Sequence, residues 1–277
     1  MTTEHAFFIT CQKDALLAIT HVPERPAVKG VLIVVGGPQY RVGSHRQFLL
    51  LARALAANGV AVLRFDYRGM GDSLGAARHF ETINEDIGCA VDSFFTQIPS
   101  LKEVVIWGLC DGASAAIFYA PTDARVTGMV LLNPWVRGEA TMAKTYLTHY
   151  YHKKILSLGT WRQLFRGRLP LAPAIKSMLT QFFLAWRPNS ATTASATLAS
   201  RMAASFELFS GHTLIILSGN DLTAHEFNLV ASSPPWKGLL KSKKVARREL
   251  ARANHTFSTR QWRDQVAAWT AEWLKSW

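Results

Sequence analysis

Short runs of apolar and β-branched residues alternate with helical patterns through the first half of the chain. The apolar runs are bounded by Gly, Pro or Asp and predict buried strands at residues 31–35, 60–65, 104–107 and 126–132. The segments between them have helical spacing and predict helices at residues 44–58, 81–97 and 111–119. This alternation predicts an α/β fold with a mainly parallel central sheet flanked by helices. Its functional loops should lie at the carboxyl ends of the strands.

The alternation stops after Asn133, where a long stretch with many aromatic residues has helical patterns throughout. We interpret residues 135–210 as a helical cap inserted over the sheet. The strand pattern resumes at residues 213–217, a weaker strand follows at 245–250, and a final amphipathic helix covers 259–277. The predicted α/β core therefore comprises residues 1–134 and 211–277.

Composition places the chain among folded globular proteins, with 277 residues of which 49% are hydrophobic and 18% charged. Its three cysteines, Cys11, Cys89 and Cys110, are too few and too scattered for a disulfide framework, and no CxxC pair indicates a zinc site. The N-terminus lacks the pattern of a signal peptide, and no run of 18 uncharged apolar residues occurs. We therefore expect a cytoplasmic protein in a reducing compartment.

The chain is strongly basic, with a formal net charge of +12. Such an excess is typical of proteins that bind nucleic acid, an anionic membrane face or an acidic substrate. The basic segments have no RRM, KH or zinc-finger signature, so we expect no nucleic acid partner. A solvated basic surface is the favoured interpretation. Peripheral contact with an anionic membrane is left open.

The most informative motif is Gly-Leu-Cys-Asp-Gly at residues 108–112, which is G-x-S-x-G with Cys110 in the serine position. It follows a buried strand directly and precedes a helix rich in small residues. Such a tight strand-to-helix turn needs small neighbours, hence Gly108 and Gly112. It also places the sulfur at a helix N-terminus, where the dipole favours a thiolate. A buried inert cysteine is the alternative, but the context favours Cys110 as a nucleophile.

A thiolate nucleophile needs a base, and the base needs an orienting acid. Asp221 lies at the carboxyl end of the predicted strand 213–217, and His255 lies between the last strand and the last helix. This order along the chain, nucleophile then acid then base, is that of G-x-S-x-G enzymes. His225 and Glu226 are the competing pair. The spacing from Gly219 to Asp221 is one residue shorter than the common Gly-x-x-Asp pattern, which leaves the acid less secure than the base.

The oxyanion hole should combine the Asp111 amide with an amide from the loop after the first parallel strand. Pro38 has no N–H. Gln39 is therefore the expected second donor, with Gly37 in reserve. A plain turn is the alternative interpretation of the glycines in this loop.

Three basic residues follow in the same loop and lead into the next helix. Arg41, His45 and Arg46 are candidates for binding an anionic substrate group, and solvated positions in a first helical turn are an equally open alternative.

The segment at residues 66–73 has the pattern D-x-R-G-x-G-x-S. Its glycines permit a tight turn after a strand, and Asp66 and Arg68 can tie neighbouring loops by charge-assisted hydrogen bonds. We interpret it as structural support near the site. It is no dinucleotide-binding motif, because G-x-G-x-x-G is absent.

Together with the turn at residues 108–112, this pattern resembles the α/β-hydrolase superfamily. More narrowly, the chain resembles the exosortase A system-associated hydrolase 1 family over nearly its whole length, most specifically over residues 31–136. The resemblance rests on VVGGPQYRVGSHR (34–46), WGLCD (107–111), LLNPWV (131–136) and SGNDLTA (218–224). It implies a Gram-negative bacterial protein encoded beside exopolysaccharide and exosortase protein-sorting genes, and it implies no particular substrate.

The residues predict an ester or thioester hydrolase in which His255, oriented by Asp221, activates Cys110 to form an acyl-enzyme. Its partner is then a small-molecule or carrier-linked acyl substrate, and no metal or organic cofactor is required. Acyl transfer on the same residues is the nearest alternative. A catalytically silent hydrolase fold that acts as a scaffold is the alternative from another class. The sequence does not indicate an oligomeric state.

Overall fold

An eight-stranded sheet forms the centre of the protein. The computed structural model describes residues 2–37, 39–137 and 197–277. The strands are β1 (Thr3–Cys11), β2 (Asp14–Val22), β3 (Lys29–Val34), β4 (Ala61–Phe65), β5 (Glu103–Leu109), β6 (Val126–Leu132), β7 (His212–Ser218) and β8 (Val245–Leu250). They are arranged in the order β1-β2-β4-β3-β5-β6-β7-β8.

Six neighbouring strands of the sheet pair in parallel, in the order β4-β3-β5-β6-β7-β8. This confirms the predicted α/β fold with a mainly parallel sheet. β3, β4 and β5 are almost entirely buried, as expected for parallel strands covered on both faces. The antiparallel hairpin of β1 and β2, which joins the sheet through β2 and β4, was not predicted.

Seven helices are described on the two faces of the sheet. They are α1 (Gln47–Ala57), α2 (Asn84–Gln97), α3 (Asp111–Tyr119), α4 (Leu198–Leu208), α5 (Leu222–Ala231), α6 (Trp236–Leu239) and α7 (Arg260–Leu274). α1 packs against α7, while α2 and α4 both pack against α3. α1 begins three residues later than predicted, because His45 and Arg46 have positive φ angles of 53° and 61°. The regular helix therefore starts at Gln47.

The predicted cap lies mostly outside the described residues, because residues 138–196 are not among them. Its C-terminal part contains α4, which buries Met202, Ala203 and Phe206. The Phe206 ring contacts the Trp236 ring of α6 at a centroid distance of 5.3 Å. The extent and role of a cap over residues 135–210 remain a prediction.

Two of the three cysteines are paired, which the sequence reasoning missed. Cys11 ends β1 and Cys89 lies in α2, and they form a disulfide with their Cα atoms 5.7 Å apart. Their wide separation along the chain was a poor guide, because α2 packs against β1. Cys110 is the free cysteine of the chain.

The last strand, β8, forms one edge of the sheet and is largely exposed. Arg247, Arg248 and Glu249 are its exposed central residues. Among the described residues, no helix is both long enough and apolar enough to cross a membrane.

Candidate active site

Cys110 occupies the corner between β5 and α3, near the middle of the sheet. Its backbone has φ 61° and ψ −124°, a conformation that residues other than glycine rarely adopt. The Cys110 amide donates to the Leu132 carbonyl of the neighbouring strand at 2.9 Å. Its own carbonyl accepts from the amides of Ala113 and Trp135 at 3.1 and 3.2 Å. Strained backbone held by its surroundings in this way is typical of functional sites.

The glycines on either side of Cys110 are required by close backbone contacts. A Cβ atom at Gly108 would lie 2.4 Å from the carbonyl carbon of Gly112, and one at Gly112 would lie 2.6 Å from the Val34 carbonyl oxygen. Because the obstructing atoms are backbone, no side-chain movement could relieve the overlap. These contacts support the prediction that a tight strand-to-helix turn selects small residues on both sides of Cys110.

Asp221 and His255 come together from distant parts of the chain. His255 Nδ1 lies 2.9 Å from Asp221 Oδ2. Asp221 is the N-cap of α5, and its carboxylate accepts from the Thr223 and Ala224 amides at 3.3 and 3.1 Å. These bonds fix the carboxylate, so it can hold the imidazole ring in one orientation.

The His255 ring also interacts electrostatically with Cys110. Since Nδ1 is engaged by Asp221, Nε2 is the nitrogen left to face the sulfur. Burial acts to lower the pKa of His255, but the hydrogen bond to Asp221 and the electrostatic interactions with Asp221 and Cys110 outweigh burial and raise the pKa to about 10. The protonated ring is therefore favoured when both partners are ionised, which is the charge state of a thiolate–imidazolium pair.

The competing pair, His225 and Glu226, is engaged elsewhere. The His225 ring contacts the Gly219 carbonyl oxygen at 3.0 Å through Nε2. Glu226 is fully buried and accepts from Arg137 Nε at 3.1 and 3.2 Å. Burial raises the pKa of Glu226, and Arg137 opposes that rise. The geometry therefore favours Asp221 and His255 as the partners of Cys110.

Asn133 is a structural residue of this site that the sequence reasoning missed. It is completely buried just after β6, with a φ of 43°. Its Nδ2 donates to Ser218 Oγ at 2.8 Å and to the His255 carbonyl at 3.1 Å, and its Oδ1 accepts from the Ser218 amide at 2.9 Å. One side chain thus connects the ends of β6 and β7 to the loop that carries the base. The available signal was a polar residue directly after a strand that ends in four apolar residues.

The loop after β3 is fastened to the start of α3. The Gly37 amide donates to Asp111 Oδ1 at 2.5 Å, which counts against Gly37 as the reserve oxyanion donor because its N–H already has a partner. Burial raises the pKa of Asp111, while the Gly37 and Gly112 amides act to lower it. Gln39 Oε1 accepts from the Ser44 amide at 3.1 Å and so orders the same loop. The Asp111 and Gln39 amides remain the predicted donors.

The candidate substrate-binding residues are placed less favourably. Arg41 Nη1 is paired with Asp66 Oδ2 at 2.5 Å and with Asp72 Oδ2 at 2.6 Å. This guanidinium already has two carboxylates, which counts against a role in binding an anionic substrate group. His45 and Arg46 are exposed. Among the described contacts, neither residue contacts Cys110, Asp221 or His255.

The D-x-R-G-x-G-x-S segment has the predicted supporting role. Asp66 is completely buried and accepts from the Arg41 amide at 2.6 Å. Arg68 is buried and forms two hydrogen bonds to Asp86, from Nε at 2.8 Å and from Nη2 at 3.1 Å. These charge-assisted bonds join the turn to the loop that precedes α1 and to helix α2, which confirms the predicted structural role.

The sheet order, the strand-to-helix turn and the grouping of Cys110, Asp221 and His255 define an α/β-hydrolase. The chain belongs to the family described as Hydrolase_4, serine aminopeptidase S33, whose model matches residues 26–221. The description of that family refers to a serine, whereas this chain has Cys110 at the turn. It is therefore an α/β-hydrolase enzyme whose substrate the family does not specify.

Individual relatives are more distant. Protein ABHD12B of Homo sapiens is 32% identical over 115 residues, which cover 38% of this chain and 30% of that protein. The chain thus spans about a third of the length of this curated relative. None of the comparisons confirms the narrower exosortase-associated resemblance.

Solved structures share the fold across the whole chain. An esterase of Pyrococcus furiosus, Pf2001, has a TM-score of 0.68 at 16% identity and covers 100% of this chain and 92% of its own. A dienelactone hydrolase of Anabaena variabilis has a TM-score of 0.60 at 16% identity, with coverage of 99% and 97%. At such low identity these similarities establish the architecture alone.

Proposed function

We propose that the protein hydrolyses an ester or thioester through Cys110, with His255 as the base and Asp221 as the orienting acid. The observation that carries this proposal is the 2.9 Å hydrogen bond between the Asp221 carboxylate and the His255 ring, which also interacts with Cys110 at the strained strand-to-helix turn. Ser114, the nearest serine in α3, does not offer an alternative nucleophile. It is completely buried and donates to the Trp135 carbonyl at 2.7 Å.

The reaction begins from the thiolate–imidazolium pair, in which the Cys110 proton has already passed to His255, and the thiolate attacks the acyl carbonyl carbon. The amides of Asp111 and Gln39 then stabilise the oxyanion. The carbonyl re-forms as the alcohol or thiol leaves with the proton from His255, and the acyl group stays on Cys110 as a thioester. His255 next takes a proton from water as the water oxygen attacks this thioester. The C–S bond then breaks, which releases the carboxylic acid and restores the Cys110 thiolate and the protonated His255.

Activated acyl groups, such as thioesters and aryl esters, suit this arrangement best. A thiolate forms more readily than an alkoxide, but it is also a better leaving group, so it favours substrates whose own leaving group is good. The similarity to an esterase and to a dienelactone hydrolase, proteins of the same fold, is in line with carbonyl substrates.

The biological context that we propose comes from the resemblance to exosortase-associated hydrolases over residues 31–136. This resemblance supports small or carrier-linked acyl substrates that belong to exopolysaccharide or exosortase sorting systems, and a location in the cytoplasm. The exposed arginines of β8 support peripheral contact with an anionic membrane face.

Iodoacetamide labelling tests the nucleophile, because Cys110 is the free cysteine and the label therefore reports on one thiol. We expect rapid labelling near neutral pH, slowed at least tenfold in His255→Ala. His225→Ala is the matched control, since His225 was the competing base, and it should label at the wild-type rate. Equal labelling of all three proteins would favour the scaffold alternative.

Turnover of acyl thioesters and aryl esters of graded chain length tests the reaction itself. Cys110→Ala should lose activity, and His255→Ala should lose about 100-fold or more, the usual contribution of a positioned base. Adding alcohol acceptors distinguishes acyl transfer from hydrolysis by the product formed. Full turnover by Cys110→Ala would refute the proposed mechanism.

A further inference from the structure

A small cavity between α1 and α7 has an unusual set of polar neighbours. Its volume is about 40 Å³, and it is lined by α1, α7, β5, the end of β6 and Phe257. None of Cys110, Asp221 and His255 lines it, so it is separate from the candidate active site. Most of the wall is apolar, formed by leucine, alanine, valine and phenylalanine side chains.

Three hydrogen-bond donors in this wall have no partner. They are Trp107 Nε1, Gln47 Nε2 and Arg263 Nε, each inaccessible to solvent and without a hydrogen bond in the described part of the chain. Trp107 is 2% exposed and Gln47 is 8% exposed, so bulk water does not satisfy these groups. Buried polar groups in native proteins nearly always have partners. Three unpaired donors in one small cavity therefore indicate a shared acceptor.

The chemistry of the donors defines that acceptor. The indole and guanidinium groups can only donate, and the guanidinium is cationic. Arg263 lines the cavity, and its Nη1 donates to the His45 carbonyl at 2.7 Å, which restrains the guanidinium group. Asp264 also lines the cavity, but its side chain is 66% exposed and is paired with Arg260 at 3.4 Å. The buried surroundings thus combine donors, one positive charge and apolar walls.

We infer that this cavity binds a small carboxylate of the size of acetate or propionate. A carboxylate has two oxygens that only accept, which suits three unpaired donors in one cavity, and its short alkyl part suits the apolar wall. Water is the competing occupant, since the volume would hold about three molecules. A carboxylate can accept from several of these donors at once, and it brings no hydrogens that would need acceptors in the apolar wall. The inference does not depend on the reaction at Cys110.

The binding test uses the full-length Cys110→Ala protein, which excludes turnover and binding to the thiol. Propionate is titrated at constant ionic strength, with saturation-transfer NMR as the readout, and propionamide serves as the uncharged analogue. We expect saturable propionate binding and at least tenfold weaker binding of propionamide, because the amide cannot form charge-assisted hydrogen bonds. Equal affinity for the two compounds, or no saturable binding, would overturn the inference.

Variants in the same background locate the site. Gln47→Glu is nearly isosteric, suits the first turn of α1, and places a negative charge in the cavity, so propionate binding should be lost. Trp107→Phe and Arg263→Met remove one donor each and should weaken binding about tenfold. Lys241→Gln, at an exposed position outside the cavity lining, should bind like the parent. Unchanged affinity in Gln47→Glu and Arg263→Met, or a crystal grown with propionate that shows only water in the cavity, would refute the site.

Discussion

The hydrogen bonds of Asn133 lead to a quantitative prediction for Asn133→Ala. The substitution leaves the buried Ser218 amide without an acceptor and removes two donated bonds, one of them to the His255 carbonyl. An unsatisfied buried donor costs about 1–3 kcal/mol. Alanine at a φ of 43° adds about 1 kcal/mol, because asparagine tolerates the left-handed region better. We therefore expect the free energy of unfolding to fall by about 2–4 kcal/mol.

The same change should impair the candidate active site. The loop that carries His255 loses its bond to the end of β6, and displacement of a catalytic group by about 1 Å can cost about 100-fold in rate. Asn133→Ala should therefore lower turnover and Cys110 labelling at least tenfold in protein that is still folded.

Denaturant unfolding and labelling measure the two effects separately. Asn133→Gly removes the same hydrogen bonds but relieves the backbone strain, so it should be about 1 kcal/mol more stable than Asn133→Ala. Asn228→Ala is the matched control. It removes only an exposed bond to Arg247 and should cost less than about 0.5 kcal/mol. If Asn133→Ala is no more destabilising than Asn228→Ala, the proposed linking role of Asn133 is wrong.

Three further predictions concern the pH dependence, the turn and the supporting ion pair. Because the folded-state pKa of His255 is raised to about 10, its stabilising contribution should be complete below about pH 6.5 and lost as pH rises through 10. The difference in free energy of unfolding between wild type and His255→Ala should thus shrink by about 1–2 kcal/mol over that pH range. This is well below the energy equivalent of the full pKa shift, because the His255 side chain is a third exposed to solvent. A difference that stays constant with pH would contradict this prediction. Gly112→Ala should lower the melting temperature by several degrees, since its Cβ meets a β3 carbonyl at 2.6 Å, whereas Gly238→Ala, with open space around it, should not; equal melting points would disprove the packing argument. Arg68→Met should cost about 3–5 kcal/mol in chemical denaturation by leaving Asp86 buried and unpaired, and adding Asp86→Leu should recover part of the loss; no recovery would count against the ion pair as the cause.

The sequence predicted the parallel sheet well, because strands buried on both faces have continuous apolar runs that are easy to recognise. It missed the β1–β2 hairpin, since most of β1 is exposed and so lacks a buried apolar pattern. It also missed the Cys11–Cys89 disulfide, which depends on the packing of α2 against β1.

For the candidate site, chain order and the ends of strands were sufficient to select Cys110, Asp221 and His255, which the structure brings together. They did not indicate that Arg41 pairs with two carboxylates from another loop. Asn133 was missed for a related reason, because its partners are backbone and hydroxyl groups that leave no trace in a motif.

The exposed arginines of β8 have a consequence for association between copies of the chain. A free edge strand presents unpaired backbone groups on which another strand can add. Two β8 edges brought together would place Arg247 and Arg248 of one copy beside those of the other. This repulsion discourages edge-to-edge growth of the sheet at low ionic strength, and it weakens as salt shortens the screening length to about 3 Å near 1 M. The protection that these charges give to the edge of the described sheet therefore depends on ionic strength.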